Sequence, residues 1–427
     1  MRKFSLSFFL IYLAILPLID QLNYKIYGKI GVDNVLLFLL FWMSLLSLIL
    51  DRDSVFLKKN IFYDKFKNIS FFFYALISLY GLAFFFPTYS SLLFGKNLSP
   101  YQLTMGLRFV QMIFVLIMLN ILIEDFSDLK YCVIAYFTGA AIAALFGIGQ
   151  AFRIKWFWDI ANDYYLIGKA HLSVYRLKIK ICSFWPESGN TFGSFMTMSI
   201  LLLFGSGRIF LRKKILLAFF FLIGLLISLS FTSIISLIAA SLILWTVSSI
   251  SEFSKKYSLA IVNSSFLILI LIIGLSILFS DRIEKRTNSY MRYSVDNPFL
   301  IRGLDRRTLS WRGFWNNINT RNVLETVIGK GYAFSSTADN YYIELLAAGG
   351  FLSLLLFIVI LLVFLFSSYN YCLAFQKSGS ELYFIFRVIL GCGVAISVMM
   401  FTGSYFSYLP TVMPLLMLSV GVKKCRY

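Results

Sequence analysis

Apolar residues in this chain are grouped into long stretches, which short polar and basic segments separate. A helix needs about 20 apolar residues to cross the hydrocarbon core of a bilayer, so each stretch predicts a transmembrane helix. The predicted spans are residues 4–20, 33–50, 68–87, 104–124, 130–152, 190–206, 213–230, 231–250, 259–280, 343–367, 383–403 and 407–422. The last span is short and contains Pro410, so eleven spans are an alternative to twelve. The pattern predicts an all-α polytopic integral membrane protein.

Two of these segments require a decision about where a helix begins or ends. Residues 213–250 form one apolar stretch, which we divide at the hydroxyl-rich run Ser228–Ser233. The first span follows the basic residues Arg2 and Lys3 and so resembles a signal peptide. No small-residue cleavage site follows it, and we therefore expect an uncleaved first span.

Composition supports the membrane class. Hydrophobic residues make up 59% of the chain and charged residues 14%, and the mean hydropathy is +0.81, which excludes an ordinary soluble domain. The five cysteines lie in different segments and indicate no disulfide framework. No grouping of histidine, cysteine and carboxylate residues suggests a metal site, and nucleic acid is not an expected partner.

Lysine and arginine in the short loops predict the orientation of the spans. If the N-terminus is cytoplasmic, the cytoplasmic segments hold 18 of these cations and the short external loops hold three. This asymmetry places both termini in the cytoplasm. The whole chain, residues 1–427, is then a single membrane domain with two large external loops, residues 152–189 and 281–338.

Both large external loops are basic, which the charge asymmetry does not explain. The first loop carries six lysines and arginines and the second carries ten, of which eight are arginines. A solvated surface or contact with anionic headgroups would account for them. The excess of arginine favours instead a surface that recognises a polyanionic substrate through bidentate contacts with phosphate.

Within the second loop, Trp311, Phe314, Trp315 and Ile318 follow a helical spacing and predict an amphipathic helix that lies along the membrane interface. The end of the loop, Gly329-Lys330-Gly331, lacks the spacing of a nucleotide-binding loop. We expect a turn there.

The end of the second loop also carries a family resemblance. Gly329-Lys330-Gly331-Tyr332, then Asp339-Asn340-Tyr341-Tyr342 and the glycine-containing helix that follows, resemble the O-antigen polymerase and O-antigen ligase superfamily. The segment Ser183–Asn190, after Arg176, is similar to the end of the first external loop in polysaccharide polymerases. The ligases typically have a catalytic histidine where this chain has Asp339. This departure favours the polymerase branch.

The resemblance implies a GT-C-like fold in a bacterial inner membrane, where an acceptor hydroxyl attacks a glycan on undecaprenyl pyrophosphate. It implies no cofactor, because the donor is already activated, and it suggests a chain-length regulator as a partner. Glu187 and Asp339 are the candidate catalytic residues that accept the hydroxyl proton. The candidates for binding the pyrophosphate and the glycan are Arg176, Arg302, Arg306, Arg307, Arg312, Lys330, Asn340 and Tyr341.

Other interpretations remain open. An O-antigen ligase is the alternative of the same class, and the polymer formed is either O-antigen or capsule. A flippase for lipid-linked oligosaccharides is the alternative of another class, although the chain shows no self-similarity between its halves.

Arg108 lies near the start of a predicted span, where it either faces a cavity or extends to the outer surface. Arg387 is expected to extend to the cytoplasmic surface.

The predicted orientation can be tested by cysteine labelling. We expect a cysteine at Ser289 to react with an impermeant reagent added outside the membrane, and a cysteine at Lys424 to react only after permeabilisation. Labelling of both positions from the same side contradicts the orientation.

Overall fold

The computed structural model describes residues 2–19, 32–50, 70–94, 100–161, 183–184, 189–205, 214–249, 321–331, 340–376, 381–403 and 408–424. Every regular element in these ranges is helical. The helices are α1 Arg2–Ile19, α2 Val32–Leu50, α3 Phe71–Leu93, α4 Pro100–Leu122, α5 Phe126–Ala151, α6 Lys155–Ile160, α7 Gly189–Gly205, α8 Lys214–Ile227, α9 Phe231–Ser249, α10 Val323–Ile328, α11 Tyr341–Gln376, α12 Glu381–Met399 and α13 Leu409–Lys424.

These helices confirm the prediction of an all-α membrane protein. A helix is present at eleven of the twelve predicted apolar stretches, and the remaining stretch, 259–280, lies outside the described residues. Five helices, α1, α3, α5, α11 and α12, are long and apolar enough to cross a membrane, and six shorter apolar segments accompany them. The predicted division of residues 213–250 is also confirmed, because α8 ends at Ile227 and α9 begins at Phe231.

The helices connect two opposite faces of the bundle. At one face, which we call the terminal face, Arg2 donates a hydrogen bond to Asp128 at 2.9 Å, and Gly421 packs against Leu129. The beginning of α1 and the end of α13 therefore lie on the same side. The other face, which we call the loop face, includes the end of α12, where the amide of Tyr341 donates to the Met400 carbonyl at 2.8 Å.

Small residues allow close packing between the helices. A Cβ atom at Gly139 of α5 would lie 2.8 Å from the Ala14 carbonyl oxygen of α1, so these two helices need a glycine there. In the same way, Gly193 of α7 contacts the turn between α8 and α9, where a Cβ atom would lie 2.6 Å from the Ser230 Cβ. Glycine at such positions is typical of membrane helices, which associate through close contact of their backbones.

Helix α11 is interrupted at Gly350, whose φ is 73° and ψ is −177°. The prediction of one continuous span at 343–367 missed this break, although the pair Gly349-Gly350 is a sequence signal that could have indicated it. The segment that follows, residues 351–376, is about 39 Å long at 1.5 Å per residue and can cross the bilayer without the first part of the helix. Near the break, the Ser353 hydroxyl donates to the Leu82 carbonyl at 3.1 Å, within the π-helical turn Gly81–Phe85 of α3.

Replacing Gly350 with alanine should destabilise the protein by about 2 kcal/mol or more, because an L-residue is disfavoured at this positive φ and its Cβ would overlap the Val327 carbonyl oxygen. Gly81→Ala is the matched control, since its Cβ would meet only Phe109, at 3.8 Å. Thermal unfolding in detergent measures both variants. Equal melting temperatures for the two variants would contradict this role of Gly350.

Candidate functional site

The end of the second loop is bound to the interruption in α11. The Gly331 amide donates to the Ala348 carbonyl at 2.8 Å, and the Lys330 amide donates to the Ala347 carbonyl at 3.5 Å. Gly329 and Gly350 both have positive φ values, and a Cβ atom on either would overlap backbone atoms of the other segment. We call this backbone-to-backbone packing the Gly329–Gly350 contact. It satisfies carbonyl groups that the break in the helix would otherwise leave without partners.

Side chains of the same segment strengthen this attachment. The Arg321 guanidinium donates from Nη1 to the Ala347 carbonyl at 2.9 Å. Burial lowers the pKa of Arg321, and the nearby Glu325 carboxylate opposes that effect. Glu325 also forms an ion pair with Lys330 at 2.7 Å and closes a capping box with Asn322. At Gly329-Lys330-Gly331, the structure shows amide hydrogen bonds from Lys330 and Gly331 to α11 instead of the predicted local turn. The Lys330 side chain is held by the Glu325 carboxylate of the same segment.

A second contact connects this segment to α3. The Ser90 hydroxyl donates to the Ile328 carbonyl at 2.9 Å, and a Cβ atom at Gly331 would overlap the Ser91 hydroxyl. Residues Arg321–Gly331 are thus fixed between α3 and α11, on the loop face.

Asn340 and Tyr341, which were predicted to bind substrate, begin the first part of α11. The Asn340 side chain accepts a hydrogen bond from the Ile343 amide at 3.2 Å and is almost completely buried. The Tyr341 ring is also buried and packs edge-on against Phe357. In this conformation, both side chains stabilise the start of the helix. Their role in binding stays a prediction, and the neighbouring Asp339 lies outside the described residues.

The first loop is anchored by Gln150 near the end of α5. The buried Gln150 amide donates from Nε2 to the Ser183 carbonyl and accepts from the Ser183 amide at Oε1, both at 3.0 Å. The Ser183 hydroxyl donates to the Ala143 carbonyl at 2.7 Å, and the Phe184 ring stacks on Phe146 with centroids 4.2 Å apart. Sequence reasoning missed Gln150, although a glutamine inside an apolar span is a signal that could have identified it.

Most of the predicted site lies outside the described residues. This holds for the two candidate catalytic carboxylates, for the interfacial helix with Trp311, and for all five candidate binding arginines. These residues are Glu187, Asp339, Arg176, Arg302, Arg306, Arg307 and Arg312. The two carboxylates are nevertheless close in sequence to described residues. Phe184 and Gly189 flank Glu187, and Asn340 directly follows Asp339.

The two arginines predicted within spans lie at opposite faces. The half-buried Arg108 guanidinium lies 5.8 Å from the ring centroid of Tyr408, just before α13, at the loop face. This cation–π contact positions a positive charge at the loop face. Arg387 is half-buried in the part of α12 nearest the terminal face, and its Nε is buried without a hydrogen-bond partner in the described part of the chain.

The described residues provide attachment and charge at the loop face. Both large loops return to the bundle there, one at Gln150 and the other at Gly350. Arg108 and Arg321 bring positive charge to this face, whereas the charge of Lys330 is paired with Glu325. Groups of three or more histidine, cysteine or acidic residues able to hold a metal do not occur within the described ranges. Such a face can attract an anionic group.

Gln150→Leu should lower the free energy of unfolding by about 2–4 kcal/mol, because it leaves the amide and the carbonyl of Ser183 buried without partners. Gln376→Leu is the control, since it removes one hydrogen bond, to the Val247 carbonyl at the terminal face. We expect only Gln150→Leu to expose the first loop to limited proteolysis. Similar cleavage patterns for the two variants would argue against the anchor.

Comparison with known proteins gives no match to a protein-family model, to a curated protein or to a solved structure. The relation to the O-antigen polymerase and ligase superfamily therefore stays a prediction from the quoted motifs and the predicted topology.

Proposed function

We propose that this chain is a membrane glycosyltransferase that joins oligosaccharide repeat units, carried on undecaprenyl pyrophosphate, into a surface polysaccharide. The reaction takes place at the outer face of the bacterial inner membrane. The observation that carries the proposal is the attachment of the ten-cation loop to the bundle, through Arg321, Lys330 and Gly331. This attachment holds the end of a strongly basic segment against the membrane helices at one face.

The proposed reaction needs positive charge where its leaving group develops negative charge. When the acceptor hydroxyl attacks the anomeric carbon, the carbon–oxygen bond to the pyrophosphate breaks and both electrons go to the pyrophosphate. Arginine stabilises such a group well, because its planar guanidinium forms two parallel hydrogen bonds to phosphate oxygens. The second loop contains eight arginines. Arg108 adds a cation at the face where this loop is attached.

The acceptor hydroxyl must also lose a proton, and a carboxylate is the expected acceptor. Phe184 is three residues before Glu187, and Asn340 directly follows Asp339. Both of these described neighbours are anchored at the loop face, Phe184 on Phe146 and Asn340 at the start of α11. This common location supports Glu187 and Asp339 as the candidate bases of one site.

A transporter of lipid-linked oligosaccharide is the second candidate, because α11 is interrupted and interrupted helices are common in transporters. Discontinuous helices in transporters usually surround a binding site near the middle of the bilayer. Here the part of α11 after Gly350 is long enough to cross the bilayer alone, so the break lies near one edge. This location agrees better with a site at the membrane surface.

Substitutions that retain charge test the role of the arginines. Arg176→Lys, Arg302→Lys, Arg306→Lys and Arg312→Lys should each shorten the surface glycan, because lysine lacks the planar fork of arginine. Arg292→Lys, in the second loop, is the matched control and should leave long chains. The chain-length distribution is measured at equal protein levels. Unchanged long chains in all four variants would refute phosphate recognition by these arginines.

Carboxylate substitutions separate a polymerase from the alternatives. Glu187→Gln or Asp339→Asn should slow chain extension by about 10²–10⁴-fold while the protein remains inserted. If the polymer is O-antigen, the cells should then display lipid-A cores that carry one repeat unit. If deletion of the gene removes all surface glycan while long carrier-linked polymer accumulates, the protein is a ligase. Accumulation of repeat units on the cytoplasmic side would identify a flippase.

A further inference from the structure

Helix α10 exposes an unusual set of side chains at the loop face. Val323, Leu324 and Val327 are 83%, 53% and 41% exposed, whereas the charged residues of the same segment, Glu325 and Lys330, are paired with each other and mostly covered. This is the reverse of the arrangement expected for a helix in water, where apolar residues are covered and charges are exposed.

The position of α10 along the membrane normal follows from α11. Exposed apolar side chains on α11 run from Phe351 to Phe366, and the first exposed polar residue after them is Asn370. A hydrocarbon core of about 30 Å corresponds to about 20 helical residues. Counted back from Asn370, this thickness ends near Phe351. The outer edge of the hydrocarbon core on α11 therefore lies next to Gly350.

The Gly329–Gly350 contact fixes α10 at this same level. Arg321 at one end of α10 and Gly331 after the other end both bond to carbonyls just before Gly350. The neighbouring end of α3 also exposes apolar side chains. Leu92 and Leu93, two and three residues after Ser90, are about half exposed, and Ser90 itself contacts Ile328. The exposed face of α10 is thus close to apolar surface that already faces the bilayer.

We propose that Val323, Leu324 and Val327 insert into the boundary between headgroups and acyl chains, so that α10 is a lipid-binding element of the second loop. Its occupant is the bilayer, because the helix is held at the edge of the hydrocarbon core and the side chains that it exposes there are apolar. Arg321 and Lys330, at the two ends of the segment, then lie at the height of the lipid phosphates. This proposal requires membrane insertion of the chain and does not depend on the proposed polymerase activity.

Depth-dependent fluorescence quenching tests the insertion in the full-length protein in phospholipid vesicles. An environment-sensitive fluorophore is attached to Val323→Cys or Val327→Cys, after Cys182 and Cys425 are replaced with serine. The buried cysteines Cys132, Cys372 and Cys392 remain in place. Val359→Cys, in the middle of the exposed apolar stripe of α11, is the deep control. Ser127→Cys, exposed at the terminal face, is the control for contact with water.

Nitroxides at a shallow acyl position should quench the fluorophores at Val323 and Val327 at least twofold more than nitroxides at a deep position. The order should be reversed at Val359, and iodide should quench strongly only at Ser127. Strong iodide quenching at both α10 positions overturns the proposal, because it shows that the helix lies in water. Shielding of both positions from nitroxide and iodide alike also overturns it, since another protein surface then covers the helix. Neither measurement uses substrate, so a failed glycan assay does not change its outcome.

Discussion

The interruption of α11 at Gly350 imposes the constraint on which the loop face depends. A helix that breaks at the edge of a bilayer leaves carbonyl groups that water does not readily reach, and each needs a partner from the protein. Here these partners come from residues that are distant in the chain, the Arg321 side chain and the Lys330 and Gly331 amides. Glycine at positions 329 and 350 allows the two backbones to approach closely enough. The contacts that satisfy the interrupted helix α11 therefore also position the end of the second loop.

The two large loops are attached to the loop face by different chemistry. The second loop uses backbone contact between glycines, whereas the first uses the Gln150 amide, which pairs with both backbone groups of Ser183. Each attachment satisfies polar groups in a buried environment, where a lost hydrogen bond is costly. Each also adjoins a segment with a candidate carboxylate in the sequence. Attachment of long loops near their helical ends is the arrangement expected where loops present binding residues on a scaffold of helices.

Away from the loops, the bundle is held together by close packing and by buried hydroxyl groups. Lipid is as apolar as leucine, so burial of leucine alone gives little reason for helices to associate in a membrane. Gly139 and Gly193 instead bring backbones into contact, and serines between α8 and α9 bond to each other and to nearby carbonyls. At the terminal face, Arg2 joins the beginning of α1 to Glu124 and Asp128 at the start of α5. These contacts give the rigid frame that the attached loops require.

The sequence by itself determined the helices, because long apolar stretches have few alternatives in a membrane protein. It also determined the division at Ser228–Ser233, where a serine hydroxyl bonds to the neighbouring backbone. It did not place the break at Gly350, since long apolar runs lie on both sides of the glycine pair and the segment that packs against the break contains Gly329, 21 residues earlier in the sequence. Nor did it show that Lys330 pairs with Glu325, or that Gln150 holds Ser183. Such pairings depend on which segments meet in space, and only the tertiary structure decides that.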